Sequence, residues 1–443
     1  MRWLPRVALS LGTLLLVVGL PEIGLRLLSR GPALAAEEMA ADPDTAWALS
    51  PGATMAMRRP TSINRLGLQG PEPGPGRRVL VTGDSSVFAV GIEGNPSFSQ
   101  VLGERLGPSV EVHNGGVPGY SSSQSLAQAR KIWPELQPEL LIVGNLWSDN
   151  NFDSFVDAEL LAEAGRPGRR LAHSLARLSQ RSALLMALLR WRGADRQEIV
   201  GWGRVGQETI RGQRRVPLAT YRDNLLELST LALNSGGHVL FLMLSNSEDL
   251  DHPDRPWAWD PYRQTMRDVA AQLGCPLVES PPAFRRAAAQ GQGLFVDDMH
   301  PSGGGHRLLG ELLAEELRQR GWEQGRALCS GGGPAAEVPP DPWTWEEGAA
   351  PPQRTPTVAG LILGNPGKRG DLEVQLLDEG GAVLDRVGLP AAAPYALLAD
   401  PPPTRGRVRV LEARQGRVLV EQELDLAAGT AWGVHLPLPE PGR

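Results

Sequence analysis

The spacing of hydrophobic residues along this chain alternates between a strand-like and a helix-like pattern. This alternation predicts an α/β domain over residues 77–325. Short apolar runs are separated there by longer stretches with helical spacing, which is typical of a parallel sheet covered by helices. The runs are as short and apolar as buried parallel strands usually are. They lie at residues 79–82, 110–113, 140–143, 239–244 and 277–279. We expect a flavodoxin-like three-layer fold with helices on both faces of the sheet.

Between the third and fourth predicted strands, an insertion over residues 152–215 has an apolar stripe at helical spacing. Two interpretations are open, namely a cap over an active site and a helix that only packs against the domain. Trp191 and Trp202 within the insertion fit both.

The first 30 residues have the pattern of a signal anchor or a signal peptide. An apolar run over residues 7–20 follows Arg2 and Arg6, as in export signals. Extended to Leu28, it reaches the length of about 20 residues that a bilayer span needs. An anchor is favoured over cleavage at the small residues 33–35. We expect an exported protein, anchored in the membrane and facing the periplasm or cell exterior, or secreted if the N-terminus is cleaved.

Two linkers and a second domain complete the predicted organisation. Residues 31–76 form an N-terminal linker segment, and residues 326–356 are rich in Gly and Pro. In residues 357–443, the runs LEVQLLDEGGAVLDRVG and GRVRVLEARQGRVLVEQELDL are typical of hairpins. We expect a small β-sandwich that resembles transthyretin-like or carboxypeptidase-regulatory-like modules. Spacing, docking, saccharide contact and structural support are all open as its role.

Composition narrows the classes of function. The net charge of -6 comes from mixed acidic and basic residues, so nucleic acid is not an expected partner. The two cysteines, Cys275 and Cys329, have no metal-binding or redox spacing. No metal and no cofactor is therefore expected. Whether the cysteines form a disulfide is open.

Candidate chemistry begins at Gly83-Asp84-Ser85-Ser86, directly after the first predicted strand. This places Ser85 at the carboxyl end of the sheet, where α/β folds carry their sites. A serine hydroxyl needs a base to become a nucleophile, and the base needs an acid to orient it. Asp297 and His300 have a spacing that lets the carboxylate reach the imidazole.

These motifs together resemble the SGNH/GDSL hydrolase family. The segments that carry the resemblance lie between residues 78 and 319, and they are VTGDSSVFAVGIEGNPSFSQVL, VEVHNGGVPGYSSSQ, PELLIVGNLWSDNNF and FVDDMHPSGGGHRLLGELL. The resemblance implies that Ser85 is the nucleophile, with Asp297 and His300 as acid and base. It also implies that the backbone N–H groups of Ser85 and Gly119 form an oxyanion hole.

The third oxyanion donor is open. In the family it is an asparagine side chain, but Ser148 stands at the matching position here. A loop shifted by a residue or more would bring in Asn145, Asn150 or Asn151 instead, and Asn150 is favoured among them.

Several neighbouring residues are given secondary roles. Asp298 competes with Asp297, but the DxxH spacing favours Asp297. His306 is expected to be structural. Asp84 is expected to contact substrate, as is Trp147. Stacking and ordinary packing are both open for the tryptophans near the expected cleft, Trp147, Trp257 and Trp259.

The sequence thus predicts a serine ester hydrolase that acts through an acyl-enzyme. The expected substrate is a carboxylic ester, such as an O-acetyl group on an envelope saccharide, or a lipid ester. An O-acyltransferase using the same serine is one alternative. A catalytically weak scaffold that binds glycan or a partner is the other. The sequence does not predict the oligomeric state.

Overall fold

The structure is a computed structural model. It describes residues 13, 15–28, 39–53, 55–56, 59–92, 94–151, 155–168, 182–192, 214–251, 253, 257, 259–335, 338, 359–364, 372–378, 380–389, 395–398, 405–412, 416–425 and 435–437. Residues 1–12, the cleavage segment 33–35, Trp202 and most of the predicted linker 326–356 lie outside the described residues. The chain divides into two units, one made of Met1–Glu72 with Leu160–Gly203 and the other of Pro73–Glu159 with Arg204–Arg443.

The strands in chain order are β1 Met39–Asp42, β2 Ala46–Leu49, β3 Met55–Ala56, β4 Arg59–Pro60, β5 Arg77–Thr82, β6 Val110–Asn114, β7 Leu140–Val143, β8 His238–Met243, β9 Leu277–Glu279, β10 Ala359–Gly364, β11 Leu372–Leu377, β12 Val383–Leu389, β13 Tyr395–Leu398, β14 Arg405–Glu412, β15 Arg417–Asp425 and β16 His435–Pro437. The helices are α1 Leu20–Leu28, α2 Ser85–Phe88, α3 Phe98–Leu106, α4 Ser122–Leu136, α5 Trp147–Asn150, α6 Asp157–Ala164, α7 Ala183–Trp191, α8 Leu218–Asn234, α9 Glu248–Asp251, α10 Asp260–Leu273, α11 Pro281–Ala288 and α12 Gly303–Gln319.

The second unit is built on a parallel sheet with the strand order β6-β5-β7-β8-β9. β5 pairs with β6 on one side and with β7 on the other. The side chains of β7 are fully buried, as a central parallel strand requires. The predicted flavodoxin-like order is confirmed, and the five predicted strands match the observed ones to within two residues at each end.

Helices cover this sheet in two groups. α3 packs against α12, and α8 packs against both α4 and α10. The chain leaves β5 towards β6 and then crosses back to β7, so right-handed crossovers place the two groups on opposite faces. The reversal of direction at β5 opens a crevice at the carboxyl ends of β5 and β7, where α/β folds place ligands.

Capping side chains fix the starts of the two helices in the first group. Ser97 and Gln100 form a capping box at the start of α3. The Ser302 hydroxyl accepts a hydrogen bond from the backbone N–H of Gly305 at the start of α12. These caps end the preceding loops at defined residues. The loop before α12 carries His300.

A disulfide joins Cys275, just before β9, to Cys329. It ties the segment that follows α12 to the edge of the sheet next to β9. The pairing that the sequence left open is therefore formed.

The first unit contains α1, α7 and the hairpin of β1 and β2. A π-helical turn over Leu15–Gly19 leads into α1. α7, from the predicted insertion, packs against α1. Among the residues that the structure describes, no helix is long and apolar enough to cross a membrane. The predicted spanning anchor is thus unsupported, and its first residues lie outside the described range.

Within its described residues, the C-terminal region contains one sheet of four antiparallel strands in the order β12-β11-β14-β15 and one of three strands in the order β13-β10-β16. β11 pairs with β12 and β14 with β15. Both predicted hairpins are therefore present. The sandwich arrangement and its resemblance to known modules stay predictions.

Candidate active site

Ser85 is held on a sharp turn between β5 and α2. It is the first residue of α2, and its side chain is partly exposed. Asp84 is the helix N-cap, and its carboxylate accepts a hydrogen bond of 2.9 Å from the backbone N–H of Ser86. Because this cap fixes the first turn of α2, Ser85 is presented at the carboxyl end of the sheet.

His300 meets this serine from the loop before α12. Its Nε2 atom lies 2.7 Å from the Ser85 hydroxyl oxygen, and its Nδ1 atom lies 2.7 Å from Oδ2 of Asp297. A carboxylate at Nδ1 favours the tautomer with its proton on that nitrogen, which leaves Nε2 free to accept the proton of Ser85. The three predicted side chains are in contact in the order that acyl transfer requires.

The same loop is tied to the nucleophile turn. The Ser86 hydroxyl donates a hydrogen bond of 2.9 Å to the backbone carbonyl of Met299, and the backbone N–H of Val296 donates one to the carbonyl of His300. These bonds anchor the loop on both sides of the imidazole. This role of Ser86, which is directly beside the nucleophile in the same motif, was not predicted from the sequence.

The neighbouring carboxylates Asp297 and Asp298 are in different environments. Oδ1 of Asp297 accepts hydrogen bonds from the backbone N–H groups of Met299 and His300. Burial would raise the pKa of Asp297, but its bonds with His300 and Met299 hold that pKa below the ordinary value. Burial and the nearby charge of Asp297 raise the pKa of Asp298. It is Asp297 that the structure places on the imidazole.

Gly119 lies in the loop between β6 and α4, which packs against the nucleophile turn. The backbone N–H of Gly115 donates to the carbonyl of Val81, and that of Val117 donates to the carbonyl of Gly83. Gly119 has a φ of +78°, a conformation that side chains disfavour. In the part of the chain that the structure describes, the backbone N–H groups of Ser85 and Gly119 have no protein acceptor. Both are available to an oxyanion.

The turn that follows β7 carries the candidates for the third donor, and it engages two of the three asparagines in other hydrogen bonds. The side-chain amide of Asn145 donates to the hydroxyl of Ser125, and that of Asn150 donates to the carbonyl of Leu146, each at 2.9 Å. Both side chains are buried. The hydroxyl of Ser148 makes no hydrogen bond within the described part of the chain. This geometry weighs against the favoured Asn150 and makes Ser148 the better candidate.

Asp84 and Trp147 differ from their expected role as substrate contacts. The carboxylate of Asp84 is fully buried, and its Oδ2 atom accepts from the backbone N–H groups of Trp147 and Ser148. Burial raises the pKa of Asp84, although these donors and His300 oppose the shift. Asp84 therefore joins the nucleophile turn to the Ser148 turn. It positions the two turns instead of facing a ligand.

The tryptophans near the site pack on one another. Trp147 makes an edge contact with Trp259, and Trp257 stacks on Trp259 with ring centroids 4.9 Å apart. All three are almost fully buried. Arg263 lies over the rings of Trp147 and Trp259. The interpretation as packing residues fits this geometry better than stacking on substrate.

His306 is fully buried at the start of α12. Its Nδ1 atom accepts a hydrogen bond from the backbone N–H of Phe98, and its ring stacks on the Phe98 ring. These contacts join α12 to α3, in agreement with the structural role expected for this histidine.

A buried polar cluster behind the Ser148 turn was not predicted. Oδ1 of Asp149 accepts hydrogen bonds from both the backbone N–H and the hydroxyl of Ser122. Burial raises the pKa of Asp149 to about 7. Arg215 forms a two-point ion pair with Asp157, with both side chains fully buried. The adjacent pair Arg214-Arg215 was the available signal, but in sequence it is indistinguishable from surface charge.

This cluster also fixes the backbone of the turn. The backbone N–H of Val216 donates to the carbonyl of Asp149, and that of Arg215 donates to the carbonyl of Asn151. The guanidinium of Arg214 donates to the carbonyl of Asn150.

Among the residues that the structure describes, no three His, Cys, Asp or Glu side chains are grouped as metal ligands would be.

Comparisons with known proteins add similarity but no family assignment. No model of a protein family matches the chain, and no curated protein matches it. Solved structures similar to it include a lipase/acylhydrolase from Enterococcus faecalis, with 17% identity over 55% of this chain and 96% of that chain, at a TM-score of 0.34. A catalytic mutant of an acetylxylan esterase from Geobacillus stearothermophilus has 14% identity over 55% of this chain and 95% of that chain, also at 0.34. At such scores the likeness carries no argument, so the function is argued from the geometry of the site.

Proposed function

We propose that this protein is a serine ester hydrolase that works through an acyl-enzyme on Ser85. The observation that carries the proposal is the chain of two hydrogen bonds, each 2.7 Å long, from Ser85 to His300 and from His300 to Asp297. A hydroxyl in this setting can lose its proton to the imidazole as it attacks a carbonyl carbon. The carboxylate then stabilises the imidazolium that forms.

The reaction has two balanced halves. In the first, the Ser85 oxygen bonds to the ester carbonyl carbon while His300 takes the serine proton and returns it to the departing alcohol oxygen. In the second, a water gives a proton to His300 while its oxygen bonds to the acyl carbon. The bond from that carbon to the Ser85 oxygen then breaks, and His300 gives the proton to the serine oxygen, so that the acid is released and the serine is restored. The backbone N–H groups of Ser85 and Gly119, with the Ser148 hydroxyl, would hold the negative oxygen of each tetrahedral intermediate.

The substrate that we propose is a carboxylic ester outside the cytoplasm, such as an O-acetyl group on an envelope saccharide or a lipid ester. Two observations support that location. The chain opens with the residue pattern of an export signal. The disulfide between Cys275 and Cys329 is of a kind that persists in oxidising compartments.

The test is hydrolysis of p-nitrophenyl esters of increasing acyl length by the full chain and its Ser85→Ala variant. We expect the variant to lose about 10⁴-fold or more in kcat/KM, since the nucleophile is gone. Ser330→Ala, a change at a serine far along the chain from the site, is the matched control and should keep full activity. Equal rates of ester hydrolysis for Ser85→Ala and the unchanged protein would contradict the proposal.

The same assay separates the alternatives. Turnover of an aryl ester in water without a sugar present supports a hydrolase. Release of p-nitrophenol that starts only when a saccharide is added, with acylated saccharide as product, would indicate the O-acyltransferase. No turnover of any ester by a folded protein would favour the binding scaffold.

A further inference from the structure

The first unit presents two neighbouring apolar helices that the proposed ester chemistry does not use. Large aliphatic side chains are exposed on the π-helical turn and on α1, and these are Leu15, Leu16, Val17, Val18, Leu20, Ile23 and Leu27. Four of them are consecutive in the π-helical turn, so they point to all sides of that turn. A helical segment that is apolar on all sides is typical of a lipid environment. A helix that binds in a groove of another protein needs only one apolar stripe.

α7 continues this surface from a distant part of the chain. Leu185, Leu188 and Trp191 are exposed, and Trp191 is exposed to 85%. Tryptophan is enriched where a protein meets the boundary between lipid and water. The helix belongs to the insertion, whose two predicted roles were a cap and a packing element.

Glu22 fastens the two helices to each other. Its carboxylate accepts hydrogen bonds from the hydroxyl of Ser182 and from the backbone N–H groups of Ala183 and Leu184, at 2.9 to 3.0 Å. These groups form the beginning of α7, where a negative charge is favoured. Glu22 also pairs with Arg26. Glu22, one of the two charged side chains of α1, thus sets the position of α7 beside α1.

The net charge of the sequence segment that contains α7 indicates the partner. Residues 160–203 contain eight arginines and three acidic residues, although the whole chain has a net charge of -6. Apolar helices flanked by arginine and tryptophan bind the surface of membranes that contain anionic lipid. Within the described residues, each helix has nine residues and is about 14 Å long, which is long enough to lie in the interface of a bilayer.

We propose that α1 and α7 form one membrane-docking surface and that an anionic lipid bilayer covers it. The insertion is then a second membrane contact, fastened to the N-terminal helix through Glu22. This inference is independent of the proposed ester hydrolysis, because it uses only residues of the first unit.

The test places an environment-sensitive fluorophore on a single introduced cysteine in the full chain, in vesicles of phosphatidylcholine and phosphatidylglycerol in equal parts. The labelled positions are Leu27→Cys, Leu188→Cys and, as the matched control, Leu384→Cys. Leu188 and Leu384 are exposed to 47% and 48%, but Leu384 lies on the C-terminal sheet. We expect nitroxide-labelled lipid to quench positions 27 and 188 and to leave position 384 bright. Aqueous dithionite should bleach only position 384.

Replacing the mixture with phosphatidylcholine alone should lower the lipid-exposed fraction at position 188 by about fivefold or more, the factor for one arginine near an anionic surface. The proposal is overturned if position 188 behaves like position 384 while position 27 is quenched, because the N-terminal helix then docks alone. It is equally overturned if position 188 is shielded from dithionite but not quenched by lipid, because protein, such as a second copy of the chain, then covers it. An unchanged melting temperature in all three labelled variants confirms that each is folded.

Discussion

The loop that carries Asp297 and the turn that carries Asp149 both belong to the candidate site, but the pKa values of these two aspartates are shifted in opposite directions. Asp297 is 52% exposed and accepts hydrogen bonds from three groups, which lower its pKa. Asp149 is fully buried beside a closed cluster of polar groups, and burial raises its pKa to about 7. Solvation and partners, and not residue type, decide whether an aspartate holds its charge.

The difference separates two tasks. The exposed loop keeps a negatively charged carboxylate beside the imidazole, where it stabilises the imidazolium that forms during catalysis. The buried turn keeps a rigid backbone under Ser148, and there ion pairs and hydrogen bonds hold the shape.

The exposed side of the comparison is tested by removal of the negative charge of Asp297. Asp297→Ala should lower kcat/KM on an aryl ester by about 10³- to 10⁴-fold, because His300 loses its orienting carboxylate. Asp298→Ala is the matched control at the next residue and should stay within about threefold, since no side-chain hydrogen bond joins Asp298 to the imidazole. Similar losses in both variants would mean that the loop acts as a unit and that the assignment to Asp297 is incorrect.

The buried side of the comparison is tested by Arg215→Ala. It leaves the carboxylate of Asp157 buried without its partner, so the free energy of unfolding should fall by about 3–5 kcal/mol in urea titrations. Arg222→Ala, which breaks the exposed pair with Asp223, should change it by less than about 1 kcal/mol. A small change in the free energy of unfolding in Arg215→Ala would show that the buried cluster does not stabilise the turn.

Ser148→Ala tests whether the turn also contributes to chemistry. Loss of one oxyanion donor should lower kcat by about a hundredfold with little change in KM, because the bond forms only in the transition state. Ser148→Thr keeps a hydroxyl and should retain most of the rate. An unchanged kcat in Ser148→Ala would leave the oxyanion hole with its two backbone donors alone.

The smallest expected effect is the pH dependence of stability that comes from Asp149. Its pKa is raised from the ordinary value of 3.8 to about 7, so the folded protein holds this proton more tightly than the unfolded chain. The resulting stability is complete below about pH 4 and is lost as the pH rises through 7. Asp149→Asn should flatten this fall by about 1 kcal/mol or more between pH 5 and pH 8, measured by urea unfolding. An identical slope in both proteins would place the proton elsewhere.

The sequence predicted the sheet and the three central side chains because both have local signals. Apolar runs mark each parallel strand, and a short DxxH spacing brings Asp297 to His300. The third donor could not be predicted, since it depends on which side chains turn inwards behind β7. The amides of Asn145 and Asn150 are used by Ser125 and Leu146, and no pattern in the sequence shows such pairings.

Two other features of the structure could not be predicted from the sequence. Asp84 was expected to face substrate, but three backbone N–H groups from two loops turn its carboxylate inwards. The insertion was interpreted without a partner, whereas α7 packs on α1 through a glutamate about 160 residues earlier. Both depend on contacts between segments distant in the chain.

The most direct test of the central claim is the mass of the protein after reaction with a fluorophosphonate, which bonds to an activated serine. We expect one adduct on the peptide that contains Ser85, at a rate that falls at least about a thousandfold in His300→Ala. An adduct on another serine, or labelling of Ser85 at the same rate without the imidazole, would contradict it.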